Sequence, residues 1–71
     1  MESLYIVVEL QKSGNQLGNI VNSYDTLANA QHKFYTVAAA ASISNIEQHS
    51  VVLLDDRGFL IDRISFEHPA E

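Results

Sequence analysis

The chain has 71 residues, 46% of them apolar, and carries nine acidic against four basic side chains, for a net charge of -5. That length sets a single small domain over 1–71, and that composition excludes a disordered chain; with a sequence pI near 4.9, the acidic surplus also excludes a groove that tracks a long phosphate backbone. With no cysteine, disulfides and thiolate-rich zinc sites are excluded too.

Leu4 to Leu10 is dense in β-branched and aromatic residues and too short for a helix, so it is read as the first strand. Lys12 to Gln16 is a cluster of turn formers, and Leu17 to Tyr24 returns as a second strand to make a hairpin. Asp25 is placed to cap a helix that runs to Ser42, its carboxylate accepting from the free amides of the first turn. Leu27, Ala30, Phe34, Val37 or Ala38, and Ala41 recur every three or four residues and trace one stripe toward a core, with Asn29, His32, Lys33 and Thr36 on the other side. The run Ala38 to Ala41 suits a tight seat on a sheet, and it leaves Ala39 and Ala40 on the far side, where another backbone can approach closely.

Ser42 to Ser50 reads as a connector anchored by Ile43 and Ile46, and Val51 to Leu54 as a third strand. In Asp55-Asp56-Arg57-Gly58 the aspartates suit the opening of a type I turn and Gly58 the left-handed residue that closes a bulged hairpin. Phe59 to Phe66 is the fourth strand. Pro69 cannot donate to a ladder, so residues 66–71 are expected to form a frayed tail.

The order is therefore ββαββ, an α+β fold in which one helix packs on one face of a four-stranded antiparallel sheet. Ile6 with Val7, Leu53 with Leu54, and Leu60 with Ile61 put apolar side chains on both faces of the strands, while one helix covers only one face. Either the connector Ser42 to Ser50 folds over the second face, or a second copy of the chain stacks on it or pairs with it strand edge to strand edge. A domain this small gains from a partner subunit, so a homo-oligomer is expected.

The charged groups point to no reaction and to no cofactor. His32, His49 and His68 lack the spacings of zinc ligands, and Asp55-Asp56 is explained by its turn. His49 and Ser50 are neighbours in an extended segment, point to opposite faces and cannot act as base and nucleophile across that bond. Gly14 to Gly18 lacks the lysine and hydroxyl of a phosphate loop. A small anionic ligand needs only one or two cations, which symmetry doubles at an interface; Lys33, Arg57 and Arg63 are the candidates, with Tyr24, Tyr35 and Tyr5 as stacking surfaces. No apolar run reaches the length of a membrane span, and the opening Met1-Glu2-Ser3 lacks the basic start of a signal peptide, so no membrane partner is expected.

The segments His32 to Ser42, His49 to Leu60 and Phe66 to His68 resemble short proteins encoded in phages and prophages of Gram-positive gut bacteria. The resemblance implies a viral origin and a place in the host bacterial cytoplasm, and carries no binding motif that transfers to particular positions. Small symmetric phage proteins without enzymatic activity include sponges that sequester nucleotide second messengers of host antiviral defence. They also include structural or protein-interaction components of the particle and its assembly. The first reading predicts a homo-oligomer with ligand pockets between protomers; the second predicts docking through the sheet edge or the alanine-rich helix.

Overall fold

The computed structural model describes residues 4–68. Strands β1 (Tyr5–Ser13) and β2 (Gln16–Tyr24) form a first hairpin, helix α1 (Leu27–Ser42) follows, and β3 (Gln48–Asp55) and β4 (Leu60–Glu67) form a second. All pairings are antiparallel, in the order β2-β1-β3-β4, so the ββαββ fold expected from the sequence is the one observed.

The first hairpin is longer than its turn-forming residues suggest, because Lys12, Ser13 and Gln16 all stay in the ladder and only Gly14 and Asn15 turn. Gly14 has φ +60° and Asn15 stays out of the left-handed region. That combination is a type II′ turn, whose twist matches the strands it joins and lets pairing continue up to Ser13 and Gln16. In the second hairpin Asp55 Oδ1 accepts from the amides of Arg57 and Phe59, both at 2.9 Å, while Gly58 takes φ +85°. Leu53 pairs with Asp62 and Leu54 with Leu60, so Ile61 is the extra residue of a β-bulge.

Helix α1 is capped by Thr26 rather than Asp25. Thr26 is extended, with φ -127° and ψ 146°, and its Oγ1 accepts from the Asn29 amide at 3.3 Å, while its carbonyl accepts the first helical bond from Ala30. We therefore expect Thr26→Ala to cost about 1 kcal/mol in urea denaturation and Asp25→Ala only a few tenths. The buried stripe is Ala30, Phe34, Val37, Ala38 and Ala41, as the spacing predicts, but Leu27, expected to begin it, is exposed in the first turn; Ala39 and Ala40 are exposed on the far side.

The helix rests on Val7 of β1 and on Val51 and Leu53 of β3, with Tyr5, Tyr24 and Phe66 packed around this core. Strand alternation then puts Ile6, Val8 and Leu10 of β1 and Val52 and Leu54 of β3 on the opposite face. The connector does not cover that face. Ile46 lies against Gln11, Ser13, Gln16 and Gly18 on the helix side, and Ile43, expected to be an anchor, is 87% exposed. Residues 66–68 of the expected tail are not frayed. Glu67 pairs with Gln48, and the His68 amide donates to the Glu47 carbonyl at 2.8 Å, while residues 69–71 of the expected tail lie outside the described residues.

Candidate functional site

Among the described residues, chemistry-bearing side chains meet under the C-terminal end of α1. Glu9 and His49 share parity with Val7 and Val51, so the pleat sends both toward the helix, and His49 ends only 4% exposed. Its Nε2 donates to Glu9 Oε2, which also accepts from Gln11 Nε2 at 2.8 Å. Its Nδ1 meets Ser44 Oγ at 2.9 Å, and Ser44 Oγ lies 3.2 Å from the Ala41 carbonyl. The Ala41 carbonyl also accepts from His68 Nε2 at 2.9 Å. Among the described residues every buried side-chain nitrogen and oxygen has a partner.

The helix end explains this cluster. The last carbonyls of a helix lack intrahelical donors, and here Ser44 and His68 supply them. Burial alone would raise the Glu9 pKa. The hydrogen bonds from Gln11 and His49, with the charges of His49 and Lys33, outweigh that effect and hold the carboxylate below its ordinary value. A carboxylate lowered on folding contributes stability that is fully present above its unfolded pKa and is lost as pH falls through the folded value. In chemical denaturation from pH 7 to pH 2.5 we therefore expect Glu9→Gln to be less stable than wild type at neutral pH. That gap should close progressively below pH 4.5, the ordinary value for the group.

Serine, imidazole and carboxylate occur here in the order of a hydrolase relay. Beyond the Ser44 hydroxyl, however, lies the Ala41 carbonyl, which is an acceptor, whereas an oxyanion requires N–H donors at that point. Ser50 is not part of the cluster. It lies on the opposite face of β3, where its hydroxyl meets Ser65 Oγ at 2.9 Å.

The five residues expected to bind a ligand are not gathered within one chain. Lys33 is half-buried on α1, near enough to Glu9 to influence its charge. Tyr35 is exposed on α1, edge-on to Phe34 with ring centroids 5.2 Å apart. Tyr24 pairs with Tyr5 at the end of the sheet that also carries the β3–β4 turn and Arg57. Arg63 pairs with Val52, which puts it on the bare face. Near the other end, Gln11, Ser13, Gln16, Gly18 and Ile46 line a shallow cavity of about 220 Å³ that has no charged side chain in its wall.

Among the described residues, no element packs on the bare face. Val8 is its centre, flanked in register by Val21 and Val52, and the patch continues through Ile6, Leu10, Leu54 and Leu60. Val21 is 58% and Leu60 59% exposed. Lys12, Asn19, Ser23, Ser50, Arg63 and Ser65 form a polar rim. Apolar surface of this continuity, ringed by polar groups, is the pattern of an interaction site. The chain matches no protein-family model, no curated protein and no solved structure. Among the described residues, no helix is long and apolar enough to cross a membrane, and no three His, Asp or Glu side chains gather around a metal position.

Proposed function

We propose that this protein acts by binding and not by chemistry, as a homo-oligomer that stacks through the bare sheet face and holds a small anionic ligand at the rim of that interface. The uncovered face carries this reading. One layer of helix leaves Ile6, Val8, Leu10, Val52 and Leu54 with only sheet neighbours, and a second copy is a partner of matching shape that is always present.

Arg63 supports the anionic ligand. Of the three candidate cations it is the one that strand register puts on this face, beside the apolar patch. A two-fold stack brings two guanidinium groups to the interface, each suited to bidentate recognition of phosphate or carboxylate. The resemblance to phage proteins makes a nucleotide second messenger of host antiviral defence the first ligand to try.

Native mass spectrometry against a panel of cyclic and linear nucleotides tests the proposal. We expect a multimer that takes up a nucleotide, and Arg63→Glu to weaken uptake by about 10- to 100-fold with the subunit count unchanged. A multimer that takes up none of the panel would leave a structural or protein-interaction role, and a monomer would remove the basis of the reading.

A further inference from the structure

The two edges of the sheet are protected very differently. The edge strand β4 carries Asp62, Arg63 and Glu67 and is interrupted by the bulge at Ile61, all features that discourage pairing with another strand. The other edge, β2, is nine residues long, Gln16–Tyr24, with no charge, no proline and no register shift against β1. It exposes Leu17, Ile20 and Val21. A long, uncharged and regular edge is a template for a further strand.

We infer that β2 is a strand-addition site whose occupant is β2 of a second copy, joining two four-stranded sheets into one continuous sheet. The occupant follows from charge and register. Each chain carries a net charge of -5, which opposes self-association over most of the surface, but a β2–β2 contact places no like charges opposite each other. The two-residue turn closes on the Ser13–Gln16 pair, so Gln16, Gly18, Ile20, Asn22 and Tyr24 direct their backbone groups toward β1. Leu17, Asn19, Val21 and Ser23 direct theirs to the open edge.

An antiparallel pairing with Ile20 on the two-fold axis sets Asn19 against Val21 and Leu17 against Ser23 of the other copy. It uses every outward group and makes about eight hydrogen bonds. Residues of equal parity meet, so both helices lie on one side and the two bare faces merge into one. The edge contact is thus a second interface, separate from the face-to-face stack.

Two substitutions test it. Asn19→Pro removes an outward N–H that the chain's own hairpin does not use, so we expect the circular dichroism of wild type and an assembly of half the wild-type mass in light scattering. Ile20→Cys introduces the sole cysteine at a non-hydrogen-bonded pair on the axis, where Cα atoms approach to about 4.5 Å and a disulfide is geometrically accessible. Under mild oxidation it should become a covalent dimer, while Leu17→Cys, whose partner is Ser23, remains largely uncrosslinked. Asn19→Pro that keeps the wild-type mass, or Ile20→Cys that crosslinks no better than Leu17→Cys, would overturn the inference. Val8→Lys breaks only the stack and should leave the Ile20→Cys crosslink intact, which separates failure of the edge from failure of the bare-face interface.

Discussion

Phe34→Ala is expected to remove about half of the protein's stability at 25 °C. Phe34 is 2% exposed and the largest fully buried side chain, seated between Val7 of β1 and Val51 and Leu53 of β3. Removing a buried phenylalanine ring costs about 3–5 kcal/mol, part of it lost transfer energy and part the cavity left behind. A domain of 71 residues has roughly 4–11 kcal/mol in total, at 0.05–0.15 kcal/mol per residue. The cavity is also hard to close, because two of the helix residues in the same core cluster, Ala30 and Ala38, have no side-chain length to swing inward. Phe34→Leu should cost less than half as much. Urea denaturation followed by far-ultraviolet circular dichroism measures both, and a Phe34→Ala variant within 1 kcal/mol of wild type would show that the helix does not depend on this anchor.

What could be read from the sequence was what repeats along it. The stripe Ala30, Phe34, Val37 and Ala41 has helical spacing whatever it packs against, and doubly apolar pairs such as Ile6 with Val7 report that both faces of a strand are greasy before any partner is known. Element ends were less legible. Polar Gln48, His49 and Ser50 look like connector, yet β3 begins at Gln48 because β1 supplies Lys12, Gln11 and Leu10 opposite them. Lys12, Ser13 and Gln16 look like turn and pair instead, because the Gly14 turn is tight.

The Glu9, His49 and Ser44 cluster was missed for a related reason: its members are 5 to 40 residues apart in sequence, and no local pattern connects them. A faint signal existed. Glu9 interrupts an apolar strand at a position of core parity, and His49 continues the parity of Val51 and Leu53, so two ionisable residues were due on the covered face and needed one another. Among Lys33, Arg57, Arg63, Tyr24 and Tyr35, sequence identified cations and rings, but only the register of β4 against β3 separated Arg63 on the bare face from the rest.

Val8→Lys is expected to dissociate the face-to-face assembly while leaving the fold of each chain intact. Val8 is at the middle of the bare face, opposite Val21 on one side and Val52 on the other, and none of the residues under the helix touches that face of the strand. In the separated chain a lysine there keeps its ammonium in water and lays its methylenes along Ile6 and Leu10, so the cost to folding is small. In a stacked pair the same ammonium is driven between two apolar sheets, and symmetry does this twice. Burying an ion without a partner costs several kcal/mol, so two per interface weaken association by more than about a thousandfold. Sedimentation velocity at micromolar concentration should show the assembly replaced by a species of half the mass or less, with an unchanged circular dichroism spectrum. Lys12→Glu at the rim is the matched control: it changes charge at the border, where water remains, and should shift the dissociation constant by less than about tenfold. If Val8→Lys assembles as wild type does, the apolar face is not where the copies meet, and the association must run through the β2 edge alone.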